Sequence, residues 1–291
     1  MARLDAPSTD LPAPVAAALA APTPGQRATI EAGGRDWTFL TWGQTSDPPL
    51  LLVHGVTSNA GIWWRVGPAL AASGRRVTAV DLPGHGPSPT WSGKHRFDET
   101  AAELATFIGA AGLHGPGLAV VGHSWGAMVA AHLPGTGIRP ASVVLIDPPY
   151  LTLAQLEALT REPTERPYES LDEARAAVRL ANPEWTDGDV DAKARALTEF
   201  EGDAVLAVLL QNGDWDAGLA ALARPKAKGV PAWLIAGEWA SGCFIPDPAI
   251  PVIRRQLGAD RVMVIRGAPH SPQRTHPQET VAAIIRAIGG G

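Results

Sequence analysis

Six short apolar runs constrain this 291-residue chain more than any other feature: residues 50–53, 77–80, 118–121, 142–146, 232–236 and 262–265. Each has the length of a strand rather than a helix, and each is apolar at nearly every position instead of every second one. Both of its sides must therefore be covered. Between the runs lie helical patterns at 62–72, 98–111, 125–132, 250–257 and 277–288. Buried strands separated by helices imply an α/β architecture, a mostly parallel sheet flanked by helices, with its reactive groups at the carboxyl ends of the strands. Ahead of them, 28–32 and 37–42 flank Gly33-Gly34 and read as a hairpin.

The alternation breaks once. From 148 to 229 no strand pattern stands out, whereas 153–159, 171–180, 190–200 and 204–210 have amphipathic helical spacing. The chain thus divides into an N-terminal arm (1–27), a core (28–147 and 230–291) and an inserted helical lid (148–229). A lid so placed lies over the strand ends, where it can gate substrate and exclude water. The arm is Pro-punctuated, with a short helix at 15–21. Pro12 and Pro14 interrupt its apolar stretch, Asp5 and Asp10 carry negative charge ahead of or beside it, and Arg3 is its one early basic residue. A secretory leader has a basic start and a clean apolar centre instead. No segment approaches the ~20 unbroken apolar residues of a membrane span.

Charge narrows the partners. The formal net charge is -5 and no segment concentrates Lys or Arg, so a nucleic-acid or anionic-membrane partner has no electrostatic support. A small-molecule substrate is expected. Cys243 is the one cysteine and cannot form a disulfide within the chain, and no Cys/His spacing suits zinc. No metal is expected, and nothing calls for an oxidising compartment, so a cytoplasmic location is expected.

The chemistry concentrates after three of the strands. Gly122-His123-Ser124-Trp125-Gly126 follows one strand and opens a helix. A serine there sits at a sharp strained turn, with glycines two residues to either side where side chains would collide. The turn exposes the Ser124 hydroxyl and aims the Trp125 backbone N–H at an attacked carbonyl. His54-Gly55-Val56 follows residues 50–53, and a tight turn there makes the Val56 N–H a second oxyanion donor. His54 is expected to hold its loop by hydrogen bonding. Gly267-Ala268-Pro269-His270-Ser271-Pro272 follows 262–265, and His270 on that loop can reach Ser124 to relay its proton. His276 is the rival, but it abuts Pro277 at a helix start. Asp81-Leu82-Pro83-Gly84-His85-Gly86-Pro87-Ser88 reads as a Gly/Pro turn without obvious chemistry.

Together, HG after one strand, DLPGHGPS after the next, GHSWG and GAPHSP resemble the α/β-hydrolase superfamily in its lidded serine-hydrolase branch, over residues 28–288. The resemblance implies an eight-stranded sheet, a lid in the long insertion, cofactor-independent acyl transfer, and the chain order nucleophile, acid, base. Ser124 departs from the dehalogenase and epoxide-hydrolase relatives, which attack with aspartate. Hydrolysis of a carboxylic ester or lactone is the leading expectation; carbon–carbon and amide hydrolysis, or a lyase, use the same residues.

The acid departs from the commonest pattern. Where many relatives carry aspartate three residues after the glycine ending the seventh strand, this chain has Ala240. Asp147, Glu238 and Asp247 all fit the chain order, and Asp147, at the end of 142–146, is taken first. Ala240 also leaves open a second class, a non-catalytic member that binds a ligand under its lid. Among the ten tryptophans, Trp63, Trp64 and Trp239 are expected to border the pocket alongside Trp125, while Trp185 and Trp215 belong to the lid. Core or lid packing is the competing reading for most of them. His123, at the variable place of the turn, is expected to pack rather than react.

Overall fold

A computed structural model describes residues 10–88, 95–161 and 165–289, so Arg3 and Asp5 of the arm lie outside the described residues. A short helix, α1 (Ala13–Ala20), precedes the hairpin of β1 (Gln26–Ala32) and β2 (Arg35–Trp42). The core follows as β3 (Pro49–Val53), α2 (Val66–Ala71), β4 (Arg76–Val80), α3 (Phe97–Ala110), β5 (Ala119–His123), α4 (Trp125–His132) and β6 (Ser142–Ile146). The expected helix at 62–72 is instead a 3₁₀ turn, Ala60–Trp63, followed by α2. Pro68 in the first turn of α2 lacks the N–H that a single continuous helix would need there.

The insertion comprises β7 (Tyr150–Leu151), α5 (Leu153–Arg161), α6 (Leu171–Ala181), α7 (Asp187–Leu197), α8 (Gly202–Leu210), β8 (Trp215–Asp216) and α9 (Leu219–Ala223). Here the reading of 148–229 as strandless is corrected. β7 and β8 pair antiparallel across Tyr150–Asp216 and Leu151–Trp215, stitching the two ends of the insertion together. Two-residue strands leave no periodicity to read, since their pairing is set by residues more than sixty positions apart. The chain then returns through β9 (Ala232–Ala236), α10 (Ile250–Leu257), β10 (Val262–Val264), α11 (Pro272–Thr275) and α12 (Pro277–Gly289).

Eight strands form one sheet in the order β1-β2-β4-β3-β5-β6-β9-β10. Only β1–β2 and β2–β4 are antiparallel; the remaining pairs run parallel. This is the mostly parallel eight-stranded sheet, flanked by helices, that the apolar runs and the resemblance called for. Alternate residues feed opposite faces. Leu51, Val53, Val120 and Leu145 pack with α3 and α4, while Leu50, Leu52, Val121 and Val144 pack with α2 and α12. All eight of these side chains are fully buried, each contributing roughly 1.5–3 kcal/mol relative to exposure.

Register brings the strand ends level. Val53 pairs with Val80 and Gly122, and Ile146 pairs with His123 and Ile235. The residues that follow, His54, Asp81, Ser124, Asp147 and Gly237, therefore leave the sheet along one edge. Among the described residues no helix is long and apolar enough to cross a membrane.

Candidate active site

The turn after β5 is shaped by contact. A Cβ at position 122 would stand 2.2 Å from the Gly126 carbonyl oxygen, and one at 126 would stand 2.4 Å from the His54 carbonyl oxygen. Only glycine lets the strand double back so tightly and lets α4 approach β3 so closely. Ser124 between them has φ 54° and ψ -123°, a conformation costing roughly 1–3 kcal/mol. Of the four described non-glycine residues with positive φ, three stand together here: Thr57, Ser124 and Asp147. Backbone bonds hold the strained residues in place, with Ser124 N–H donating to Ile146 O and Asp147 N–H to Ile235 O.

His270 bridges the serine and an aspartate. Its Nδ1 lies 2.6 Å from Asp147 Oδ2 and its Nε2 lies 3.0 Å from Ser124 Oγ. With Nδ1–H donating to the carboxylate, Nε2 turns its lone pair toward the serine hydroxyl. The ring is held from two further sides: the Phe244 ring lies 4.3 Å away, and His123 Nε2–H donates to the His270 carbonyl. Asp147 is fully buried, and its Oδ2 also accepts the Phe244 N–H at 3.0 Å. The nearby Cys243 thiol is pushed up to about 12 by burial and by the Asp147 charge, which leaves it a protonated neighbour.

The other acids are engaged elsewhere. Glu238 accepts the Gly267 N–H at 3.0 Å and so braces the loop that carries His270. Asp247 is exposed on a 3₁₀ turn, and Ala240 is exposed on another. His276 bonds its neighbour Thr275. Asp147 thus occupies the place that the alternatives contested.

The HG loop lies against the serine, since a Cβ on Gly55 would come within 2.9 Å of the Ser124 Cβ. His54 is fully buried, with Nδ1 donating to Gly55 O and Nε2 accepting the Leu82 N–H. Burial lowers its proton affinity, so it is a neutral brace, as the sequence suggested. Among the described hydrogen bonds, neither the Val56 N–H nor the Trp125 N–H has a protein acceptor. Both therefore remain available to a ligand. The DLPGHGPS turn is also a brace: buried Asp81 accepts from Thr38 Oγ1, Arg27 and the Ala60 N–H.

A cavity of about 630 Å³ opens on Ser124 and His270. Its walls come mostly from the insertion, with apolar residues such as Leu156, Val205, Leu209 and Trp215 and charged ones at Glu165, Arg166 and Asp203, together with Phe244 and Val56. The four tryptophans expected to border it, Trp63, Trp64, Trp125 and Trp239, do not line it. Trp63 is fully buried in the core beside α2, Trp64 packs on Gly188 and donates to Asp189, and Trp239 stands 45% exposed. Their loops lead to the site, but their rings turn away from it; Trp185 and Trp215 of the insertion take that place. Trp125 is buried against His54 and His85.

Sequence reasoning missed a polar group on the same wall. Lys193 of α7, nearly fully buried, donates to Thr57 O at 2.9 Å, to Thr57 Oγ1 at 3.0 Å and to Glu165 at 2.6 Å. Burial lowers its pKa to about 8 against the opposing pull of Glu165. Thr57 also bonds Glu165. This tie fixes the backbone directly after Val56 to the insertion. Arg274 lines the cavity too, four residues beyond His270; that spacing is the one signal the sequence offered for it. Among the described residues no cluster of three metal-ligating side chains occurs.

Comparison with known proteins agrees with this geometry. The model of the alpha/beta hydrolase fold family matches residues 48–284. The chain is 31% identical to Lipase LipV of Mycobacterium tuberculosis, over 84% of this chain and 95% of that protein. It is 25% identical to the pimeloyl-[acyl-carrier protein] methyl ester esterase of Aeromonas hydrophila, over 83% and 96% respectively. The crystal structure of E-2-(acetamidomethylene)succinate hydrolase superposes with a TM-score of 0.77 at 23% identity, covering 91% of this chain and 99% of that one. A serine on a glycine-flanked turn, a histidine bridged to a buried aspartate, and a family match spanning core and insertion lead to one conclusion: the chain belongs to the alpha/beta hydrolase fold family, in its lipase- and esterase-like part.

Proposed function

We propose that the protein is a serine hydrolase that cleaves a carboxylic ester or lactone through an acyl-enzyme. The observation that carries this reading is His270 bridging Ser124 Oγ and Asp147. Ser124 Oγ attacks the carbonyl carbon as His270 Nε2 takes its proton, and the amides of Val56 and Trp125 receive the developing oxyanion. The alcohol leaves with the proton from His270. Water, deprotonated by His270, then adds to the acyl-enzyme; collapse releases the acid and returns the proton to Ser124. Asp147 fixes the ring tautomer and stabilises the imidazolium.

In this reading residues 148–229 act as the lid, and Lys193 couples lid position to the oxyanion loop through Thr57. The lone Cys243, a buried free thiol, supports a cytoplasmic setting.

The test is hydrolysis of a p-nitrophenyl ester series, acetate through decanoate, by wild type and Ser124→Ala. Turnover by the wild type and its loss by a factor of roughly 10³ or more in the variant is the expected result. Turnover retained by Ser124→Ala overturns the reading.

A further inference from the structure

Of the charged side chains that line the cavity, Glu165, Arg166, Lys193, Asp203 and Arg274, the exposed Arg166 and Asp203 lie at its rim, and the buried Arg274 has no role in the proposed chemistry. The Arg274 side chain is only 7% exposed and lines the same cavity as Ser124 and His270. Its Nε is buried without a hydrogen-bond partner, and among the described residues none of its guanidinium nitrogens has one. Its one side-chain contact of note is the Trp185 ring, 4.5 Å beneath the guanidinium. The helix that bears it is anchored, because Arg65 donates to the Arg274 carbonyl at 2.7 Å and to Asp189 at 2.8 Å. The guanidinium is thus held in place from behind and unengaged in front.

The neighbouring charges are already committed. Lys193 is paired with Glu165, and Asp189 with Arg65. Glu165 and Asp189 lend Arg274 some favourable field, but neither makes an ion pair with it. A buried cation without a hydrogen-bonded counter-charge is costly to a fold, and it is retained where a ligand completes it.

Building on the hydrolase reading, we infer that Arg274 is an anion-recognising residue of the substrate pocket, and that the substrate is an ester carrying a carboxylate on the same molecule. A planar fork of N–H donors matches the two oxygens of a carboxylate. A single buried and uncommitted positive charge beside Glu165 suits a monoanion better than a dianionic phosphate. The remaining apolar wall suits the hydrocarbon between the two ends. Arg274 is then a specificity-determining residue, and half-esters of dicarboxylic acids are the simplest members of the substrate class.

The experiment compares kcat/KM for monomethyl and dimethyl esters of the C4 to C8 dicarboxylic acids. Wild type is expected to favour a half-ester over the matching diester by at least tenfold. In Arg274→Gln that ratio is expected to fall at least tenfold through KM, while Arg274→Lys, which keeps the charge without the fork, gives an intermediate ratio. A wild-type ratio at or below one, or a ratio unmoved in Arg274→Gln, overturns the inference. Calorimetry on Ser124→Ala gives a second readout that needs neither turnover nor a folded Arg274 variant. Tighter binding of half-ester than of diester, by about the same tenfold, supports the site, and equal or weaker binding overturns it. Absence of ester cleavage by wild type would sink the esterase reading, while calorimetry still decides the anion site. Serine-dependent cleavage of diesters without half-ester preference sinks only the anion site.

Discussion

The sheet and the insertion meet over one cavity but are built differently. The strands β3 to β6, β9 and β10 are apolar along nearly their whole length and bury against helices on both faces. The α6–α7 part of the insertion rests on a small cluster of its own, Ala174, Val178, Val190, Ala194, Leu197, Phe200 and Val205. It reaches the core chiefly through polar ties: Lys193 to Thr57, Trp64 and Arg65 to Asp189, and Asn59 to Glu199. The division matches the labour. Ser124, Asp147 and His270 follow strands packed on both faces, which holds their spacing as reactive geometry requires. The cavity walls come from both, since Leu156 and Trp215 belong to the main core whereas Phe200 and Val205 belong to the small cluster, and the less apolar α6–α7 part is where opening costs least.

The comparison makes the sheet edge the seat of chemistry, and the largest effects should fall there. His270→Ala is expected to lower kcat by a factor of roughly 10⁴ or more, with the thermal midpoint nearly unmoved. A variant retaining substantial turnover breaks the division. Asp147→Asn should lower kcat by roughly 10² to 10⁴, whereas Glu238→Gln should stay within about threefold, since it loses only a loop brace. Near-equal effects in steady-state assays would mean the acid has been misassigned.

Stability should divide the same way. Leu52→Ala, in the two-faced core, is expected to cost about 4 kcal/mol, and Leu197→Ala, under the insertion, about 2 kcal/mol, because the smaller cluster can collapse around a void. Urea denaturation of both variants checks the order. The polar tie should have a smaller and more specific effect. Lys193→Met is expected to reduce kcat/KM by roughly tenfold, as a charge-assisted bond to the oxyanion loop is lost. The lowered pKa of Lys193 gives this a pH signature. Below about 8 the ammonium is intact and braces Thr57; above it the charge is lost, so wild-type kcat/KM should decline on the alkaline side. A pH–rate profile of Lys193→Met lacking that limb confirms the cause, and an identical limb refutes it.

Much of the core was legible because its signals are local. Four-residue apolar runs specify buried strands without reference to their neighbours, and α4 and α10 match their helical patterns residue for residue. The turn at Ser124 was legible for the same reason, since Gly122 and Gly126 answer a collision within five residues. Asp147 was readable only as one of three candidates. Choosing among Asp147, Glu238 and Asp247 depends on the directions in which three separate loops aim, and no local pattern encodes that.

The tryptophans teach the same limit from the other side. Trp63, Trp64 and Trp239 sit in sequence beside site-forming turns, yet successive side chains on a turn point apart, and only packing decides which one faces the cavity. The pairing of β7 with β8, the reach of Lys193 to Thr57 across 136 positions, and the open guanidinium of Arg274 likewise arise from contacts between distant segments. The sequence by itself determined the sheet, the glycine-flanked turn that presents Ser124, the loop that carries His270 and the place of the helical stretch, through short-range sterics and the periodicity of burial. The tertiary structure alone decided which carboxylate meets His270, the walls of the cavity and its charge, because those are properties of which surfaces meet once the chain has closed on itself.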